Sequence, residues 1–293
     1  MVRIARTVAL APVPRPWLVD ALGALTDLAE STTAEDGRVL LPDGRQVPEL
    51  LLAEGRHLRP GAVYETTEDT DAGKGGADAL EGEADAGKSF ADAHKGEAGT
   101  GTGTGAGAGT GADTVRITVE EWRRTHALRV VFSGSGPGGD LTGRAALIGP
   151  DRPDRVELSG RAALKGVRSP LSRFDADAEL RCEAWWQAAD RGGSACRPPL
   201  RARLTCGVAR AELTAVPSPG RDHDDWEVTV TVRVRGRGLL GPLVSLGLVL
   251  ARRPLARAVA GAVADAARDW NTGVPRLTVL GREELGREFL PEP

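Results

Sequence analysis

The sequence predicts an α+β fold: a curved antiparallel sheet wrapped around a long C-terminal helix, with all 293 residues in a single domain. Three observations predict it. In Trp226–Gly238, WEVTVTVRVRGRG, the residues Trp226, Val228, Val230, Val232 and Val234 alternate with polar ones, so one strand face is buried and one is wet, as in antiparallel sheets. The chain after Gly238 changes to helical spacing, with Leu255, Val259, Ala262, Val263, Ala266 and Trp270 on one stripe. From Val115 to Gly238 nearly every patterned run is extended, and Gly or Pro breaks separate the runs.

Taken in order, residues 2–11 (VRIARTVALA) form a first strand. Pro14 and Pro16 suit a helix start, where a missing N–H costs nothing. From Trp17 to Glu30 the residues Leu18, Ala21, Leu22, Leu25, Leu28 and Ala29 share one helix face. Arg38–Val47 reads as a hairpin around Pro42-Asp43-Gly44, and Pro48–Gly55 as a short helix. Leu58–Asp69 and Val115–Trp122 read as two strands of one hairpin with a lengthened tip. Ala178–Ala188 reads as a strand with Cys182 and Trp186 on one face, which puts Trp185 on the other as a candidate contact surface. Leu200–Cys206 carries Leu200, Ala202, Leu204 and Cys206 on one face; parity flips near Gly207, which predicts a bulge or bend. The sheet ends at Gly236-Arg237-Gly238 and a helical tail runs to about Asn271, with Gly273 as its stop. A strand-like RLTVL and a polar tail, 281–293, close the chain.

The insertion at that hairpin tip, residues 71–113, has 13 Gly, 11 Ala, eight acids and three Lys. Leu80 and Phe90 are its large apolar side chains, too few to offset ordering entropy, so a disordered acidic loop is expected. Its net charge of −5 within the chain's −3 leaves the other 250 residues at +2. Loop closure entropy grows only logarithmically with length, so one domain with an inserted loop is preferred to two domains and a linker.

Composition excludes several classes. With 11 aromatic residues the core must be built mostly from Leu, Val and Ala. The longest apolar run, Gly238–Ala251, has 14 residues, short of the roughly 18 that cross a bilayer, so no integral span is expected. Arg233, Arg235 and Arg237 precede that run and Arg252 and Arg253 follow it; the run reads first as a packed helix, with peripheral contact with an anionic membrane as the alternative. A net charge of −3 argues against a nucleic-acid partner. Four lysines stand against 34 arginines, as in a GC-rich genome, so arginine abundance alone does not mark phosphate binding. Cys182, Cys196 and Cys206 show neither a disulfide framework nor zinc spacing and read as free thiols in a reducing cytoplasm. Pro12 and Pro14 break the N-terminal apolar stretch, which argues against a signal peptide.

No motif carries a reaction. GSGPGG (Gly134–Gly139) matches a dinucleotide fingerprint only formally; no helix pattern follows it, and it reads as a turn. His223 with Asp222, Asp224 and Asp225 reads as a polar loop before a strand. His57, His94 and His126 have no partner in sequence. No cofactor is expected.

The segment VTVTVRVRGRGLLGPLVSLGLVLARRPLARAVAGAVADAA resembles the end of START-like, or helix-grip (SRPBCC), domains, which include polyketide cyclase/dehydrase-like proteins. There a last alternating strand runs through G-L-L-x-P-L into a long amphipathic helix. LRPGAVY (Leu58–Tyr64) is also similar to the entry of an early strand in such proteins. The resemblance covers the C-terminal 45 residues best and the N-terminal 30 by topology. It implies a cavity between sheet and C-terminal helix that holds a lipid, a polyketide or another apolar ligand. The residues it would place on the walls are Cys182, Trp186, Leu204, Val230 and Val232, with Leu255 and Val259 opposite. The expected function is therefore binding of a hydrophobic small molecule without evident catalysis. The alternatives are a polyketide cyclase or dehydratase on the same scaffold, and a β-rich interaction module without a cavity.

Overall fold

The computed structural model describes residues 1–67, 114–166, 172–192, 197–220, 225–238, 241–281, 284–285 and 288. The 71–113 insertion, Cys196, His223 with Asp222 and Asp224, and most of the 281–293 tail lie outside the described residues. The elements run β1 (Val2–Leu10), α1 (Arg15–Ser31), β2 (Thr33–Glu35), β3 (Arg38–Leu40), β4 (Gln46–Glu54), β5 (Val63–Thr67), β6 (Thr114–Arg123) and β7 (Ala127–Gly136). They continue as β8 (Gly139–Ile148), β9 (Arg155–Leu164), β10 (Arg173–Arg181), α2 (Cys182–Arg191), β11 (Leu200–Cys206), β12 (Ala209–Pro219), β13 (Trp226–Gly236), α3 (Gly241–Leu250) and α4 (Arg252–Thr278).

Among the described residues 13 strands form one antiparallel sheet, so the α+β class and the long C-terminal helix are as the sequence predicts. From β13 the order runs back through consecutive strands to β2, and β1 pairs with β13, so the first strand lies beside the last. Register sorts the side chains into two faces. One row joins Ile4, Val232, Leu213, Ala202, Ala178, Leu158, Ala145, Val130 and Val119 across nine strands. The neighbouring row on the other face joins Arg3, Arg233, Glu212, Arg203, Asp177, Ser159 and Arg144. Paired side chains share a face, so strict alternation in sequence gives one apolar and one charged surface. The middle strands carry the glycines this packing needs: a Cβ at Gly143 would collide with the Phe132 ring lying across it from β7.

The hairpin at Arg38–Val47 forms as expected, with Leu40 opposite Gln46. The strands flanking the insertion pair directly, from Val63 with Thr118 to Thr67 with Thr114. GSGPGG is the turn between β7 and β8, where Gly136 pairs with Gly139.

Four expectations are corrected. The strand expected over Ala178–Ala188 stops at Arg181, and α2 begins at Cys182. Cys182, Trp185, Trp186 and Ala189 stand at i, i+3, i+4 and i+7, a helical stripe that coincides with alternation at Cys182 and Trp186. Trp185 and Trp186 therefore do not point to opposite faces; both pack on the same core cluster. Pro48–Glu54 belongs to β4 instead of a helix over Pro48–Gly55, because pairing with β3 and β5 outweighs the leucines' helix preference. The parity flip near Gly207 is a chain reversal: β11 and β12 are separate strands, with Thr205 opposite Arg210. Gly273 does not stop α4, which runs through Pro275 to Thr278 and absorbs most of the strand-like RLTVL. Val274, one residue past Gly273, packs on the core, so tertiary contact carries the helix over the weak position.

Among the described residues, buried apolar side chains gather in two clusters. One holds Val13, Ala189, Ala215, Trp226 and Val228; the other holds Val39, Ala62, Tyr64 and Val119. α2 packs on β12, α3 on β13 and α4 along the edge strand β1. The Asn271 carboxamide substitutes for a neighbouring strand there, accepting the Ala11 N–H at 2.7 Å and donating to the Ala9 carbonyl at 2.9 Å.

Candidate functional site

Two adjoining apolar hollows lie between α1 and the apolar sheet face. α1 is placed by its stripe of leucines and by clasps at both ends. At its start, Trp186 Nε1 donates to the Val13 carbonyl at 3.1 Å, and Arg15 pairs with Glu183 of α2 at 2.8 Å. Arg15 also lies over the Trp186 ring, 5.8 Å from its centroid. At its end, Arg124 contacts both Asp27 and Glu30, and Trp122 Nε1 donates to Glu30 at 3.2 Å. The Arg124 hydrogen bond is the main reason the Glu30 carboxyl titrates below its ordinary range.

The larger hollow, about 510 Å³, is walled by Leu18 and Leu22 of α1 and by Cys182, Trp185 and Trp186 of α2. Its floor is Leu147, Val156, Leu180, Leu200 and Trp226 from strands β8 to β13, and Trp270 of α4 closes one side. Trp185 meets Trp226 edge to face at 5.9 Å. Every lining side chain is hydrocarbon, indole, proline or thiol. Burial first, and the Asp154 carboxylate second, push the Cys182 thiol above its ordinary pKa. The thiol therefore stays protonated and acts as apolar wall.

The second hollow, about 300 Å³, continues under the other half of α1, with Leu25, Leu28 and Ala29 over Tyr64, Ile117, Val119, Trp122 and Val130. The two adjoin at β7: Val130 faces the second, and Leu128, two residues away, pairs with Leu147 of the first. His57, Tyr64 and Thr32 stand at the wall of the second hollow. Their hydrogen bonds form a directed chain. Thr32 donates its hydroxyl proton to the Ala29 carbonyl at 2.7 Å, so at 2.8 Å it accepts from His57 Nε2–H. His57 Nδ1 is then an acceptor and takes the Tyr64 hydroxyl proton at 2.9 Å, and Tyr64 in turn accepts the Leu58 N–H at 2.8 Å. Burial is the main cause that lowers the His57 pKa, which favours this neutral tautomer. Both imidazole nitrogens are occupied, so the chain locks the loop before β5 to α1 and leaves no free base. Among the described residues no group of three or more His, Cys, Asp or Glu could hold a metal ion.

Of the seven residues expected on the walls, Cys182 and Trp186 line the larger hollow. Val230 packs on the adjoining core cluster, in register with Leu200 and Ala215. Val232 shares the apolar face one row further, with Ala202 and Leu213. Leu204 lies on that face but is 39% exposed, beyond the hollow's floor. Leu255 and Val259 are half-buried on α4, which reaches the hollow only through Trp270. The helix opposite the sheet here is α1, whose leucine stripe is visible in the sequence. Trp226 and Leu200 head two of the clearest alternating runs and could have been found from that signal. The His57–Tyr64–Thr32 chain has none, because its members meet only through tertiary contact.

Comparison with protein-family models, with curated proteins and with solved structures gives no match to this chain.

Proposed function

We propose that the protein binds a hydrophobic small molecule, of lipid or polyketide type, in the hollow between α1, α2 and the apolar sheet face. One observation carries this reading: a space of about 510 Å³ with no hydrogen-bonding side chain apart from indoles and a protonated thiol on its walls. Filling such a space with hydrocarbon is favourable, whereas water inside it would lack partners. The antiparallel sheet ending in a long C-terminal helix supports kinship with helix-grip domains, with the difference that α1 and α2 supply the helical wall. The apolar floor also continues past the hollow through Leu158, 48% exposed, which suits an elongated ligand.

Native mass spectrometry of detergent-free protein is the direct test, and co-purifying apolar molecules are expected. A fluorescent fatty acid gives the second readout. Val156, 39% exposed on the floor, tolerates a larger side chain, so Val156→Trp is expected to fill the hollow and weaken dye binding at least about tenfold with the fold intact. Empty protein in repeated preparations together with no dye binding overturns the reading.

A further inference from the structure

We propose that α3 docks the protein on an anionic lipid surface. The helix sequence GPLVSLGLVL has no charged residue, unlike an ordinary surface helix with its polar outer stripe. It packs on β13 and β1, with Val244 and Leu248 half-buried. Leu246, Val249 and Leu250 remain 60%, 55% and 78% exposed. They stand at i, i+3 and i+4, so they form one stripe. At 1.5 Å per residue, the ten residues of α3 span about 15 Å, half of a bilayer's hydrocarbon core of about 30 Å. No described helix is long and apolar enough to cross a membrane. The geometry therefore suits a helix lying in the interface plane.

Charge selects the kind of surface. Between Glu227 and Asp265 the sequence has no acid and six arginines: Arg233, Arg235, Arg237, Arg252, Arg253 and Arg257. All six are exposed. Across the strands Arg233 faces Arg3 and Glu212, and Arg235 faces Arg210. Glu212 is engaged by Arg210 at 2.6 Å and Arg203 at 3.9 Å, so it does little to neutralise the patch. An apolar stripe flanked by cations matches anionic headgroups over acyl chains. The same cations disfavour a second copy of this chain, which would bring like charges together. The inference does not depend on what the hollow holds.

Flotation of the full chain with vesicles of phosphatidylcholine, and of phosphatidylcholine containing phosphatidylglycerol, tests it. Binding to the anionic vesicles alone is expected, with release at about 1 M salt, where the screening length falls to about 3 Å. L246S/V249S/L250S and R252E/R253E are each expected to lower the bound fraction at least about tenfold. All five positions are exposed, so unchanged thermal melts should show that both variants fold. No binding by the wild type, equal binding to neutral vesicles, or wild-type binding by the triple serine variant overturns the proposal. So does a wild-type dimer that the triple variant makes monomeric with no vesicle binding, which would assign the stripe to self-association.

Discussion

At the scale of single residues, the chemistry concentrates where side chains from distant segments meet. Tyr64 is buried and bridges the Leu58 N–H and His57 Nδ1. Tyr64→Phe removes both hydrogen bonds while keeping the ring and leaves the Leu58 N–H and His57 Nδ1 unpaired, and urea unfolding is expected to show a loss of about 1–3 kcal/mol. The His57 pKa lies below its ordinary value of 6.5, chiefly through burial. The unfolded chain therefore takes up this proton first as pH falls. The stabilisation is complete above about pH 6.5 and is lost as pH drops through the folded-state value. A urea midpoint that falls between neutral pH and pH 5, with a smaller fall in H57Q, is the expected signature. An acid-insensitive wild type would sink the assignment. His57 was legible only as a histidine; its partners, Thr32 at the C-terminal cap of α1 and Tyr64 on β5, meet it only as the chain folds back.

At the scale of elements, β5 and β6 pair directly on either side of residues 68–113. Five residue pairs, Val63–Thr118 to Thr67–Thr114, define the register. Replacing residues 68–113 by a short glycine-containing turn is expected to leave the melting temperature within a few degrees, because closure entropy varies slowly with loop length. A fall of more than about 10 °C would show that the insertion contributes contacts. α2 gives the opposite lesson about legibility. Its stripe of Cys182, Trp185, Trp186 and Ala189 satisfies a helical period, and two of its positions also satisfy alternation. Two periods fitted the same residues, and the indole hydrogen bond from Trp186 to Val13 helps fix the helical one. The helix expected at β4 has a different origin: PELLLAE has good helix formers, and pairing with neighbouring strands overrides them.

At the scale of the whole molecule, the decisive feature is a sheet with one apolar and one charged face, only partly covered by helices. Leu141, Val156, Leu158, Leu164 and Leu204 stay more than a third exposed on the apolar side. Leu204 sits outside the hollow, so Leu204→Ser is expected to change stability by no more than about 0.5 kcal/mol and fatty-acid affinity by no more than about twofold. A tenfold loss of affinity in that variant would move the binding surface outward from Leu200 to the open floor. The edge strand β1 is covered by α4 through Trp270 and Asn271, so the C-terminal helix guards an edge and contributes one indole to the hollow.

Alternation and helical spacing by themselves determined the antiparallel sheet, the α1 stripe and the long C-terminal helix. Each is a local period imposed by backbone geometry, and a single segment displays it. Tertiary structure decided which helix stands over the sheet, where the α2 helix begins, and which histidine finds a tyrosine. Those outcomes depend on which of several apolar stripes gains most by covering the same face, a competition between segments far apart in the chain that no single segment records.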